Sequence, residues 1–226
     1  MGVVKVPYLL TFTCILQHTH PMNPIPVTPY EQEVLELARS RPLLRAGDLT
    51  ERGIPTVVLT RLVAANRLER VARGLYTLPD RFLSEHRSLA EASLQVPGGI
   101  VCLLSALRVH EIGTQAPFEV WMAIPGNMRA PRLDQPALRV ARMSGLALTE
   151  GVERRHIDGV DVPVFSAAKT VADCFKFRHK IGLDVALEAL RDGWRQGKVP
   201  MDKLWRYATI DRVSNVIRPY LDSLEI

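Results

Sequence analysis

The sequence of 226 residues predicts an α+β protein. Two observations predict this class. First, the stretch from Gly53 to Pro79 changes halfway from an apolar spacing of three to four residues, typical of a helix, to a spacing of two, typical of strands. Second, after Gly99 short apolar segments of strand character alternate with longer amphipathic segments of helix character. The hydrophobic fraction of 47% is sufficient for a buried core.

Composition restricts the class of partner. A formal charge of +5 and a pI near 9.3 are compatible with a polyanionic partner, although many proteins without one share such a mild excess. The excess is local, because six arginines between residues 51 and 81 face only three acidic residues there. Cys14, Cys102 and Cys174 are too far apart to indicate a disulfide framework or a metal site. We therefore expect a cytoplasmic protein without a metal or a cofactor.

Residues 1–27 are predicted to form a tail outside the folded part. The apolar run from Pro7 to Leu16 lacks a signal-peptide cleavage site and is too short to span a bilayer, so neither export nor a membrane partner is expected. Helix-start chemistry begins only at Thr28, which favours Met22 as the native translation start. N-terminal sequencing of the native protein tests that hypothesis.

Residues 28–80 are predicted to contain three helices and a hairpin. Thr28 caps the first helix, which Pro42 ends; the second spans residues 45–52; and the third starts at Pro55. The third helix has an apolar stripe, made of Val58, Leu59, Leu62 and Val63, and an opposite face of Thr56, Thr60, Arg61 and Ala64. Two short strands then meet at Arg73-Gly74. Three helices followed by a hairpin are the plan of a winged helix-turn-helix.

The outward face of the third helix is suited to DNA. A major groove about 12 Å wide admits one helix whose outward residues are small and polar. We expect the helix residues to meet base edges and the wing arginines to lie beside phosphates or in the minor groove. The predicted DNA-binding residues are Thr56, Thr60, Arg61, Arg67, Arg70 and Arg73. The alternative is that these are ordinary surface residues of a subdomain that binds protein, as many winged helices do.

Residues 81–226 are predicted to form a mixed α/β domain. A connecting helix over residues 82–96 precedes a buried strand end and a helix capped by Ser105. A buried strand follows within residues 117–125, then a proline-rich loop from Pro125 to Pro136. Further strands are expected around residues 138–143, 152–157 and 162–165. The last predicted helices start at Ser166 and span residues 183–195 and 201–209.

Enzyme motifs are missing from the sequence. It contains no Gly-x-Ser-x-Gly elbow, P-loop, Gly-x-Gly-x-x-Gly or His-Glu-x-x-His, and no acid-x-Lys pair of a nuclease, so no catalytic residue is predicted. Asp158 and Asp161 could suggest a metal site, but a turn between strands explains them more simply. His110 is expected to pack or to form a hydrogen bond within the domain.

One charged helix face is a candidate partner surface. The helix after Ser166 is predicted to turn Val171, Ala172 and Phe175 inward. Its predicted outward residues are Lys169, Asp173, Lys176 and Arg178. They form either a solvated face or a surface that binds a partner.

Three blocks of sequence resemble the AbiEi-type antitoxins of type IV toxin-antitoxin, or abortive-infection, systems. They are "GIPTVVLTRLVAANRLERVARGLYTLPD", "LSALRVHEIGTQAPFEVWMAIP" and "PVFSAAKTVADCFKFRHKIGLDVALEALRDGW". Together they extend over most of residues 28–195. The resemblance implies an N-terminal winged helix that binds inverted repeats in its own promoter. It also implies a C-terminal antitoxin domain, over residues 81–226, that counteracts a nucleotidyltransferase-like toxin without needing a stable complex with it.

The resemblance places the DNA contacts on Thr56, Thr60 and Arg61 in the third helix and on Arg70 and Arg73 in the wing. The Gly-Ser and Asp-x-Asp signature of the toxin is missing from this sequence, which favours the antitoxin side of the pair. We therefore expect a non-enzymatic autorepressor and antitoxin. The alternatives are a winged-helix adaptor that binds protein, or an unrecognised enzyme in the C-terminal domain.

Overall fold

The structure is a computed structural model that describes residues 28–81 and 84–222. The predicted tail over residues 1–27, with Met22 and Cys14, lies outside the described residues. Within them, the chain forms a mixed α/β fold with two sheets.

The N-terminal part is built from three helices and a three-stranded sheet. Thr28 starts the first helix through a capping box: its hydroxyl accepts a hydrogen bond from the Glu31 N–H at 3.3 Å, and the Glu31 carboxylate accepts one from the Thr28 N–H at 2.8 Å. The sheet has the order β1-β3-β2 and is antiparallel. The elements are α1 (Pro29–Ser40), β1 (Leu44–Arg45), α2 (Ala46–Thr50), α3 (Val57–Ala64), β2 (Glu69–Ala72) and β3 (Leu75–Thr77). The three predicted helices and the hairpin are confirmed, whereas the short strand β1 was not predicted.

The second part is a five-stranded mixed sheet with helices on both faces. Its strand order is β6-β5-β4-β8-β7, and the pairs β4–β8 and β5–β6 are parallel. Its strands are β4 (Ile100–Val101), β5 (Val120–Pro125), β6 (Leu138–Met143), β7 (Val152–Ile157) and β8 (Val160–Phe165). Its helices are α4 (Arg87–Gln95), α5 (Leu103–Val109), α6 (Leu146–Thr149), α7 (Ala167–Lys176), α8 (Arg178–Ile181), α9 (Leu183–Arg195), α10 (Met201–Ile210) and α11 (Ser214–Leu221).

Strand β5 shows why its sequence reads as one apolar run. Trp121 and Ala123 pack into the core on the side of α5, α7 and α9, whereas Met122 and Ile124 pack into the core on the side of α4. Because a strand with two covered faces needs apolar side chains in both directions, the alternation of polarity is lost. The prediction of a buried strand here is confirmed.

Most predicted elements of this part are confirmed, and one cap is wrong. Cys102, rather than Ser105, precedes the first residue of α5. Ser105 lies inside the helix, where its hydroxyl accepts a hydrogen bond from the Trp121 N–H at 2.9 Å. Ser166 does cap α7, accepting a hydrogen bond from the Lys169 N–H at 3.4 Å. Helices α6 and α11 were not predicted. The helix predicted from Ser166 to Gly182 is divided at Phe177 into α7 and the four-residue α8.

The two parts share packed side chains. Leu43 is buried in the core on the α4 side of the larger sheet, and Val71 of the wing packs against the same core. The turn at Gly159 lies against Pro42, so closely that a Cβ on Gly159 would be 2.5 Å from the Pro42 Cδ. Beside it, the Asp158 carboxylate accepts hydrogen bonds from the N–H and the hydroxyl of Ser84, both at 3.0 Å. The wing sheet is therefore fixed on the second part.

Candidate nucleic-acid interface

The candidate interface is the exposed face of α3. Val58, Leu59 and Leu62 are buried and fix the helix on the N-terminal core. Thr60 and Arg61 are exposed on the other side, and Thr56 is exposed just before the helix. The two faces predicted from the periodicity are therefore confirmed.

The threonines of this face have unused hydroxyl groups. Thr56 occupies the N-cap position of α3, but its side chain forms no capping hydrogen bond. Among the described residues, neither Thr56 nor Thr60 donates or accepts a side-chain hydrogen bond. A hydroxyl can donate to or accept from a base edge, so both remain available to a ligand.

Val57 belongs to the same face and was not predicted. It is 52% exposed, although it begins an apolar run. Positions 57, 60, 61 and 64 follow the i, i+3, i+4, i+7 spacing of one helix face, and that spacing was the signal that could have identified it. An exposed valine between polar residues can contact a thymine methyl group.

Three of the arginines predicted to bind DNA have no acidic partner among the described residues. Arg61, Arg67 and Arg73 are exposed and form no ion pair or side-chain hydrogen bond within residues 28–81 and 84–222. Arg70 is also exposed, and its Nε donates to the carbonyl of Ala72 at 3.3 Å. These guanidinium groups are not neutralised by the protein itself, which favours binding of an anion.

The wing is a tight hairpin with one irregularity. Gly74 has a φ of 73°, a conformation that a two-residue hairpin turn requires and that glycine adopts without strain. The register shifts between Arg70 and Ala72, so that Val71 bulges from the ladder. Because of this bulge, Arg70 is exposed although the simple alternation placed it on the face of buried Ala72. Arg70 and Arg73 are thus both accessible.

Further basic residues surround α2 and were not predicted as part of the site. The Arg45 guanidinium forms an ion pair with Asp48 at 3.0 Å, and Arg41 lies 3.7 Å from the other oxygen of that carboxylate. Arg52 lies 3.8 Å from a Glu33 oxygen. Two arginines share the buried carboxylate of Asp48, which can neutralise only one of their two positive charges.

The predicted partner surface on α7 is wrong for two of its four residues. Lys169 and Asp173 are fully buried. The Lys169 ammonium contacts the Asp173 carboxylate and also donates to Asp211 at 3.1 Å. Helix α7 packs against α5, α9 and α10, so the face taken as outward is covered as well. Lys176 and Arg178 are half-buried, and Lys176 donates to Asp211 at 3.0 Å.

This buried ionic cluster, made of Lys169, Asp173, Lys176 and Asp211, is electrostatically unusual. Burial raises the pKa of Asp173 well above its ordinary value; Lys169 opposes the rise, and Asp211 adds to it. The Oδ2 atom of Asp173 is a buried polar atom without a hydrogen-bond partner among the described residues. Lys169, Asp173 and Asp211 are enclosed by protein, so these three groups affect the stability of the fold and are not accessible to a partner.

The other candidate groups are occupied by structural contacts. Nε2–H of His110 donates to the Phe165 carbonyl at 2.7 Å, and burial lowers the pKa of His110, which keeps the ring neutral. Burial raises the pKa of the Cys102 thiol, which makes it unreactive. Asp161 lies 3.1 Å from the His156 ring, whereas Asp158 binds Ser84 across the two parts. Asp158 therefore lies in the turn between β7 and β8, as interpreted, whereas Asp161 lies in β8 itself.

A cavity of about 710 Å³ lies beside α9. The Glu188 carboxylate on its wall accepts hydrogen bonds from the N–H and the hydroxyl of Thr114 at 2.9 and 2.7 Å, and Asp192 accepts one from the Gly113 N–H at 2.7 Å. These bonds lower the pKa of both carboxylates and attach the loop to α9. Across the described ranges there is no cluster of three or more side chains suited to hold a metal ion.

The geometry of the N-terminal part defines its fold class. Three helices, a sheet of order β1-β3-β2 and an exposed α3 form a winged helix-turn-helix, followed here by a mixed α/β part. Within the described ranges, no helix has the length and apolar character needed to cross a membrane.

Comparison with known proteins shows which family the N-terminal part is similar to. Residues 32–79 match the family described as "Transcriptional regulator, AbiEi antitoxin", which confirms the resemblance over the winged helix. The match supports a regulator and antitoxin role. No curated protein matches the sequence. The fold is similar to the crystal structure of the RV2827C protein from Mycobacterium tuberculosis, with a TM-score of 0.57 and 17% identity over 81% of this chain and 72% of that one.

Proposed function

We propose that this protein is a transcriptional autorepressor that binds inverted repeats in its own promoter through α3 and the wing. The observation that carries the proposal is the exposed face of Thr60 and Arg61, with unneutralised arginines beside it. Arg61 reads a base edge, whereas Arg70 and Arg73 contact phosphates. An inverted repeat is matched by two copies of the chain related by a two-fold axis.

We also propose that residues 28–80 supply the DNA-binding function and residues 81–226 the antitoxin function. The antitoxin function counteracts a nucleotidyltransferase-like toxin in the cytoplasm, without a stable complex and without catalysis. The family match over residues 32–79 and the extended sequence resemblance support this proposal. Of the four residues of the predicted partner surface, only Lys176 and Arg178 are partly accessible.

A mobility-shift titration tests the DNA-binding proposal. The protein is titrated onto its own upstream region and onto a scrambled duplex at physiological salt. Arg61→Ala should weaken binding to the upstream region by about 1–3 kcal/mol and relax the sequence preference. Arg73→Ala should weaken both duplexes alike, because a phosphate contact carries no sequence information. Arg191→Ala, which removes an exposed arginine from α9, is the matched control and should change neither.

The salt dependence of binding separates this function from the adaptor alternative. If about four arginines displace counterions, the logarithm of the binding constant should fall with the logarithm of salt with a slope of about 3 to 4. A slope near zero would favour an adaptor that binds protein. Equal losses on both duplexes for Arg61→Ala would contradict its role in reading bases.

A further inference from the structure

A basic groove lies where the wing meets the second part of the protein. Its volume is about 430 Å³. One wall comes from the N-terminal part and includes Arg45, at the end of β1, and the wing turn at Arg73. The other wall comes from the end of α4, at Gln95, and from the proline-rich loop, at Arg132 and Leu133. We call this the wing groove.

All charged side chains that line the wing groove are positive. Three arginines line it, and none of its lining residues is acidic. Arg73 and Arg132 are exposed and form no ion pair with any described residue. Arg45 is held by the Asp48 carboxylate, which contacts its Nε at 3.2 Å and its Nη2 at 3.0 Å. The groove therefore presents guanidinium groups without enough carboxylate to neutralise them.

The loop that carries Arg132 is attached to the sheet and to α4. The side-chain amide of Gln95 donates to the Gln135 carbonyl at 2.9 Å. At the other end of the loop, the Arg142 guanidinium donates to the carbonyls of Gly126 and Met128 at 3.0 and 2.6 Å. Since both ends are bonded to regular elements, less conformational entropy is lost when Arg132 binds a ligand.

We propose that the wing groove binds the phosphodiester backbone of duplex DNA, so that Arg132 extends the DNA contact of the wing into the second part of the protein. Guanidinium groups recognise phosphate oxygens through charge-assisted hydrogen bonds. Duplex DNA is the occupant that fits, because Arg73 belongs both to the groove and to the wing. This inference rests on the proposed DNA-binding function.

The test compares Arg132→Ala with Arg191→Ala in the full-length protein. Both variants remove an exposed arginine of the second part that has no ion pair among the described residues, but Arg191 lies on α9. Fluorescence anisotropy with labelled upstream and scrambled duplexes, at several salt concentrations, gives the affinity and its salt slope. For Arg132→Ala the slope should fall by about 0.9, and the affinity for both duplexes should fall about fivefold at physiological salt.

The reversal Arg132→Glu should produce a larger loss than Arg132→Ala, again on both duplexes. Arg191→Ala should retain the wild-type slope and affinity. Circular dichroism and the thermal midpoint establish that each variant is folded.

The possible outcomes distinguish failure of the wing groove proposal from failure of the DNA-binding function on which it rests. If wild type prefers the upstream duplex and loses that preference in Arg61→Ala, while Arg132→Ala behaves like Arg191→Ala, the wing groove proposal is overturned and the DNA-binding function stands. If wild type binds neither duplex, both fail. Calorimetric titration with inorganic phosphate completes the experiment. If Arg132→Ala abolishes binding of phosphate but leaves duplex binding unchanged, the groove binds a free anion and the proposal is overturned.

Discussion

Replacing Lys169 with methionine tests whether the buried ionic cluster governs the stability of the fold. The substitution keeps the approximate length of the stem, with a thioether sulfur in place of the Cδ methylene, and removes the ammonium group. In the native protein that group is fully buried, contacts the carboxylates of Asp173 and Asp211, and lies 4.8 Å from the centre of the Phe165 ring. Lys169→Met therefore leaves Asp173 without a cation and Asp211 with Lys176 alone.

The expected loss of stability depends on how the remaining carboxylates respond to the missing ammonium group. Removing one partner of a buried ion pair typically costs about 3–5 kcal/mol, because an uncompensated charge stays in a medium of low polarity. Protonation of Asp173 limits the cost, since burial already raises its pKa. We expect a loss of about 3 kcal/mol in the free energy of unfolding, at the lower end of that range.

Urea denaturation, monitored by tryptophan fluorescence, measures this loss. Lys176→Met is the matched control, because its side chain also binds Asp211 but is 31% exposed. It should lose only about 1 kcal/mol, because Lys176 is partly solvated and Asp211 keeps the buried Lys169 as its partner. The double variant Lys169→Met with Asp173→Leu removes the Lys169–Asp173 pair and leaves Asp211 paired with Lys176. It should recover much of the loss, since apolar replacement of a buried pair is often neutral. A loss below about 1 kcal/mol for Lys169→Met, or an equal loss for Lys176→Met, would refute the reasoning.

Two further predictions concern the surroundings of this cluster. Because the pKa of Asp173 is raised in the folded state, the folded protein holds this proton at a pH where the unfolded chain has lost it. The free energy of unfolding should therefore fall as the pH rises from about 4 through the raised pKa. Urea titrations across this range should show that Asp173→Asn removes that fall. Gly151 has a φ of 72°, and a Cβ there would lie 2.9 Å from the Cβ of Lys169. Gly151→Ala should therefore cost more than the roughly 1–2 kcal/mol of a left-handed alanine.

Each of these has its own control. Gly197 has a φ of 67° and no atom within 4 Å of a Cβ built on it, so Gly197→Ala carries the backbone strain alone. Similar losses at Gly197 and Gly151 would show that the contact with Lys169 is relieved without cost. For the pH prediction, a slope unchanged by Asp173→Asn would assign the pH dependence to other groups.

The exposed face of α3 was predictable because its information is local. One turn of apolar spacing after Pro55 fixes which side packs on the core, and the opposite side then contains Thr60 and Arg61. The glycine of the wing turn was predictable for the same reason, since a two-residue hairpin needs a positive φ. The bulge at Val71 was not, because it depends on how the wing packs against the second part.

Helix α7 was misread because its partners are far along the chain. A lysine and an aspartate four residues apart on one face usually form a solvated pair, so the pattern of Lys169 and Asp173 predicted an exposed face. The fold brings Asp211 on to that face and covers it with α10. The four small or apolar residues among positions 167–172 were a signal of a helix buried on all sides. No local pattern could name Asp211.

The N-terminal part and the second part are not mechanically independent. Leu43 lies between α1 and β1, yet its side chain is buried in the core on the α4 side of the second part. A fragment that ended at residue 80 would expose it, and full exposure of a buried leucine costs about 1.5–3 kcal/mol. The Asp158 and Gly159 turn adds polar and steric contacts to the same junction. If DNA binds at the wing as proposed, it would meet Arg132 in a defined position because the wing is fixed on the second part, which a flexibly linked winged helix could not provide.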